Sequence, residues 1–153
     1  MFPKYHIILG FLFSLCLFLI KPSIGIFGFA IVFLSSFLID FDHYLYYVFK
    51  THNYSLKNSL KWFAEQREKF VKLSSKEREK YKKQQIIFHG IEFILLLALF
   101  SFMSPLFVFV LAGVSAHFAL DFIEILALKE PLYQKSSQVY VYLTNKKKKE
   151  FYL

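Results

Sequence analysis

An all-α integral membrane fold, a four-helix bundle with an amphipathic interfacial helix between its second and third spans, is predicted by three features of this chain. Hydrophobic residues make up 56% of its 153 positions, and 21 are Phe, more than a soluble domain of this size can hide. These residues gather in four runs, each long enough for a short or full span. The cations gather between and beyond the runs, leaving the runs themselves almost uncharged. By length the chain is a single domain.

The first span is expected at about 5–20 and ends at Lys21-Pro22-Ser23, a turn with a Pro near the next helix start. Leu19-Ile20-Lys21-Pro22 offers no small-x-small cleavage signal, so this segment is expected to stay as a helix. Cys16, the sole cysteine, lies among Leu15, Leu17 and Phe18 and reads as an apolar packing residue. The second span, about 24–47, is uncharged until Asp40. It then turns amphipathic, with Tyr44, Tyr46 and Tyr47 suited to the headgroup boundary.

Residues 50–83 hold eleven of the nineteen Lys and Arg. Leu56, Leu60, Phe63, Phe70 and Leu73 recur there at roughly helical spacing with Trp62 adjacent, the pattern of a helix lying in the interface. Ser74-Ser75-Lys76-Glu77 is a capping box, starting a helix that can continue unbroken into the third span, about 86–102. The turn from Ser101 to Pro105 carries no charge, the fourth span follows at about 106–128, and a basic tail, 129–153, contains the run Lys146 to Lys149.

Counted by side, Lys4, the 50–83 connection and the tail lie together, and Lys21 alone falls opposite. The positive-inside rule then puts both termini in the cytoplasm of a multi-pass protein of the inner or plasma membrane. The net charge of +8 thus serves topology and contact with anionic lipid headgroups, and nucleic acid is not an expected partner. The Asn53-Tyr54-Ser55 sequon falls on the cytoplasmic side, where glycosylation does not occur.

This topology also brings the polar residues of the apolar runs to one face. His6 opens the first run and Asp40, Asp42 and His43 close the second. His89 and Glu92 open the third, and His117 and Asp121 lie late in the fourth. An ionisable group at hydrocarbon depth costs roughly 2.5 to 3.5 kcal/mol, so such groups face partners or cavities. Asp40 with His43, His89 with Glu92, and His117 with Asp121 are spaced i,i+3 or i,i+4, so each pair projects from one helical face. Inward imidazoles and carboxylates are how helical bundles hold transition ions. The metal-ligand candidates are therefore His6, Asp40, Asp42, His43, His89, Glu92, His117 and Asp121. Their donor atoms suit one or two ions of zinc foremost, or of manganese or iron. His52 reads as a loop residue and Glu124 as a solvated one.

In motif order the chain resembles the membrane-bound metal-dependent hydrolase family, the YdjM-like inner-membrane hydrolases. His6 and Gly10 match that family's His and Gly near the start of the first helix. Ile39-Asp40-Phe41-Asp42-His43 corresponds to its Pro-Asp-x-Asp-His element, with Ile39 in place of Pro, and His117 and Asp121 echo a later His and Asp. About 120 residues are covered. Where the family has a His-Arg element followed by Thr-His-Ser, this chain has Phe88-His89-Gly90-Ile91-Glu92.

The resemblance implies a hydrolase, and a site near the headgroup layer, beside basic segments that attract anionic lipid, points to a lipid or other amphiphile bearing an ester or phosphoester as its substrate. Glu92 and Asp40 are the candidate catalytic carboxylates, with Glu92 either ligand or general base. The same ligand types also fit a di-iron lipid oxidase, and the same polar groups fit a non-enzymatic membrane protein that binds metal or uses them structurally to tie helix ends together.

Overall fold

The computed structural model describes residues 3–128 and 136–150, and the described chain is all-helical. We number its helices α1 (Pro3–Ile20), α2 (Gly25–Leu38), α3 (Phe41–Thr51), α4 (Leu56–Lys72), α5 (Ser75–Arg78), α6 (Ile91–Ser101), α7 (Pro105–Ala127) and α8 (Gln138–Asn145). Three stretches among the described residues are long and apolar enough to cross a membrane: Pro3–Ile20, Pro22–Thr51 and Pro105–Ala127. Large apolar side chains stand outward along them, among them Ile8, Leu12, Leu19, Phe27, Leu34 and Ile123. Water does not favour such a surface, whereas lipid does.

Local signals explain the boundaries. Pro22 starts a single 3₁₀ turn to Ile24, and Gly25, at φ 66°, takes the left-handed conformation that reverses the chain into α2. Ser55 caps α4 by accepting from Asn58 N–H, and Asn53 Oδ1 accepts from Ser55 N–H. The sequon is thus a helix-start signal. Ser104 and Pro105 begin α7 in the same way.

α1 packs on α2, α2 on α7, and α7 on both α1 and α6, while α3 packs on α4. Ile39, Leu97, Val114 and Phe118 form the buried apolar core where α6 and α7 meet the end of α2. Small residues let the backbones approach. A Cβ at Gly10 would overlap the Ser36 side chain, and one at Gly113 would overlap Val32 O and Ser35 Oγ. Without a hydrophobic drive between helices in lipid, such close packing supplies much of the association. Lys21 and residues Ser101–Pro105 line one recess, so the α1–α2 and α6–α7 turns lie at the same end.

Two expectations about this architecture need correction. The capping box is present, with Ser74 and Glu77 bonding reciprocally, and it holds the Glu77 carboxyl below its usual range. The helix it starts nevertheless stops after one turn. Arg78 folds back to donate to the carbonyls of Val71, Leu73 and Leu128, and the next backbone groups pair with the C-terminal segment. Lys82 N–H donates to Lys149 O, Lys149 N–H to Lys80 O, and Lys83 N–H to Asn145 Oδ1. With those donors and acceptors committed, no helical ladder forms through 81–90. The third apolar helix therefore begins at Ile91 rather than 86, and at eleven residues it is about 16 Å long. Cys16, expected in packing, is exposed on α1.

Candidate metal centre

About 20 Å along the helices from the Lys21 end, α1, the α2–α3 junction, the turn before α6 and the second half of α7 meet around a buried polar cluster. The junction carries the first structural device. Asp40 N–H donates to Phe37 O at 3.1 Å, a three-residue step, and His43 N–H to Asp40 O at 3.0 Å. The tightened turn takes Asp40 N–H away from the carbonyl an α-helix would use, that of Ser36. Ser36 O instead accepts from His117 Nδ1 at 2.9 Å. A carbonyl only accepts, so Nδ1 of His117 carries the hydrogen and Nε2 presents a lone pair.

His89 is arranged the same way by a different partner. Asp42 Oδ2 accepts from both Phe88 N–H at 3.0 Å and His89 Nδ1 at 3.1 Å, fixing the backbone and ring of the turn together. Nε2 of His89 then faces Nε2 of His117 at 3.0 Å. Two imidazole lone pairs this close are stable only with a proton or a cation between them. Orienting a ligand His through its other ring nitrogen, by a carboxylate or a carbonyl, is the common arrangement around protein-bound metals.

Carboxylates complete the cluster. Asp40 Oδ1 lies 3.3 Å from His89 Nε2, 3.6 Å from His117 Nε2 and 3.6 Å from His43 Nε2. Asp121 Oδ2 lies 3.8 Å from His117 Nε2 and 4.0 Å from His89 Nε2, and its Oδ1 lies 3.5 Å from His6 Nε2. The ring of His6 stacks on that of His117 with centroids 4.0 Å apart. His6 is 1% exposed, and neither of its ring nitrogens makes a hydrogen bond; Asp42 Oδ1 is buried in the same condition. Among the described residues the ion pairs of Asp40 and Asp42 are all with histidines. Buried carboxylates and an unbonded buried imidazole are costly unless something balances them.

Three triads of donor atoms lie within 4.8 Å of one another: His6, Asp40 and His117; Asp40, His43 and His89; and His89, His117 and Asp121. Four ligands about 2.0 to 2.1 Å from zinc stand about 3.3 to 3.4 Å apart. The separations of 3.0, 3.8 and 4.0 Å in the last triad bracket that value. These buried His and Asp groups can hold a metal ion. Beside them, His89, Phe118, Asp121, Phe122 and Ile125 line a cavity of about 10 Å³, close to the space one water needs.

Of the eight residues singled out in the sequence, six enter the triads. Asp42 joins the cluster as the partner of His89. Glu92 does not join it: its carboxylate accepts from Ser137 Oγ and from the N–H groups of Gln138 and Val139, at the N-terminus of α8. The i,i+3 pairing of His89 with Glu92 requires a helix through both, and His89 precedes that helix. Glu124, expected to be solvated, is largely covered and accepts from Arg67 at 2.6 Å. His52 sits in a loop, as a left-handed cap at φ 54° closing α3. Sequence reasoning missed the Ser36 carbonyl and Gln138, which donates to His89 O at 2.9 Å. Gly10 and Gly113 opposite Ser35 and Ser36 were the available signal for the first, and nothing marked the second. No family model, curated protein or solved structure matches this chain, so what the centre does must be read from its own atoms.

Proposed function

We propose that this chain is a four-span protein of the inner or plasma membrane, both termini cytoplasmic, that hydrolyses an ester or phosphoester of a lipid-like substrate at a metal centre near the cytoplasmic headgroups. The observation that carries the reading is the facing pair of His89 and His117 Nε2 atoms. Both rings have their other nitrogen committed, and Asp40, Asp121 and an unbonded His6 stand around them.

His6, Asp40, His43, His89, His117 and Asp121 would hold one or two divalent ions, zinc foremost. Asp40 stands in two of the triads, and a carboxylate, unlike a single imidazole Nε2, can serve two ions. A bound divalent ion acidifies water and polarises a phosphoryl or acyl oxygen. Asp40, the most exposed of the cluster carboxylates, is the group suited to take a proton from attacking water. Glu92 has no part in this step. Asp42 and Ser36 O keep the two imidazoles in the tautomer that presents Nε2. Basic segments on the cytoplasmic side would gather anionic lipid beside the centre. Resemblance to the membrane-bound metal-dependent hydrolases points to the same chemistry.

Elemental analysis of gently purified protein in detergent tests the centre, with His117→Ala and Asp121→Ala alongside. The wild type is expected to carry zinc, manganese or iron at one or two per chain, and each variant to carry far less. Metal retained in both variants would sink the assignment. Incubating the wild type with mixed phosphatidylethanolamine and phosphatidylglycerol vesicles, then identifying released fragments by mass spectrometry, tests the hydrolysis. Metal without any turnover favours the binding-only reading.

A further inference from the structure

Glu92 and Gln138 are two polar groups that the proposed chemistry does not use, and they act together. Gln138 bridges the turn that carries His89. Its Oε1 accepts from Ile86 N–H at 3.0 Å, and its Nε2 donates to His89 O at 2.9 Å, while His89 N–H donates to Ile86 O at 3.3 Å. One side-chain amide thus satisfies both ends of the turn, in the place of neighbouring backbone.

Glu92 fixes the helix that supplies this amide. It accepts from Ser137 Oγ, Gln138 N–H and Val139 N–H, three donors at the N-terminus of α8, where a negative charge is favoured. Ser137 Oγ in turn accepts from Tyr140 N–H. Gly90 lets the two segments meet, since a Cβ there would overlap Glu92 Oε2 and crowd the backbone of Gln138. Further along, Asn145 exchanges two hydrogen bonds with the backbone of Lys83, and Val141 is buried. α8 is therefore bonded to the segment that carries His89 at Lys83, Ile86, His89 and Glu92.

We infer that Glu92 and Gln138 are positioning residues: they latch α8 onto the 86–90 turn and thereby set the affinity of the centre for its metal, without touching the ion. This rests on the metal-centre reading above. Loss of an outer partner of a ligand His costs about 10- to 100-fold in metal affinity.

The test uses full-length protein in detergent, with cobalt(II) as a spectroscopic probe and zinc in competition with a chelator. Wild type is compared with Gln138→Ala, Glu92→Ala, Glu92→Gln and His89→Ala. The expected result is a loss of zinc affinity of about 10- to 100-fold in Gln138→Ala and Glu92→Ala, with a shifted cobalt absorption band and unchanged helical content. Glu92→Gln keeps one acceptor oxygen and should recover part of the affinity. His89→Ala should lose more than any of these.

Wild-type affinity and an unshifted band in both Gln138→Ala and Glu92→Ala, with binding lost in His89→Ala, would overturn the latch and leave the centre standing. Absence of binding in the wild type would overturn both. If Gln138→Ala misfolds, Glu92→Gln carries the comparison, and an affinity equal to that of Glu92→Ala with a native spectrum counts against the latch.

Discussion

His117 and His89 present the same atom to the same point, yet they are held by opposite means. His117 stands mid-way along α7, a 23-residue helix whose backbone is satisfied internally, and needs one added bond, to Ser36 O. His89 stands on a turn and takes bonds at its ring, its N–H and its carbonyl, with Asp42 and Gln138 as the outside partners. A ligand on a long helix inherits its position from packing. One on a turn must be pinned group by group, because an unsatisfied backbone group in a dry site is costly.

Substituting the glycine near each histidine should separate the two modes of support most clearly. Gly113→Leu pushes against backbone, at Val32 O as well as Ser35 Oγ, so α2 and α7 must separate. A loss of about 3 kcal/mol is expected, at the upper end for overpacking, read as a lowered melting temperature in detergent together with metal loss. Gly90→Ala overlaps chiefly the movable end of Glu92, with Gln138 Cγ and N only in tight contact. It should cost nearer 1 kcal/mol while still weakening metal binding. Equal destabilisation by the two would end the distinction between packed and pinned ligands.

Asp42→Ala acts on the turn alone. It removes the acceptor of both Phe88 N–H and His89 Nδ1. Metal affinity by chelator competition should fall about 10- to 100-fold, with His117 and its bond to Ser36 undisturbed. The smallest effect is expected at Arg67→Ala. Its ion pair with Glu124 is short, but Arg67 is 40% exposed, so its loss should change stability by about 1 kcal/mol or less and leave the metal content alone. A large metal loss there would mean that α4 takes part in holding the site.

The sequence made the apolar runs and the convergence of His6, Asp40, His43, His89, His117 and Asp121 legible, because helical hairpins of matched length bring fixed ends together. It left obscure whatever depended on where a helix stops. His89 and Glu92 look like a facial pair when the third helix is drawn from 86. With its start at Ile91 they point to different partners, a buried cluster of His and Asp and a helix end. The Ser36 carbonyl could not be foreseen from side-chain chemistry, since it became available only through a local tightening of backbone bonds at Asp40. Gln138 lies in a polar, Lys-rich tail whose composition says nothing of a contact 49 residues away.

The stacking of His6 on His117 joins the opening turn of α1 to the far half of α7, and the turn bearing His89 is bonded to α8. The six candidate ligands are thus all present once residue 121 has been made, while the brace on one of them comes later in the chain, so a product truncated before α8 would carry every donor yet leave the turn of His89 without its Gln138 bridge.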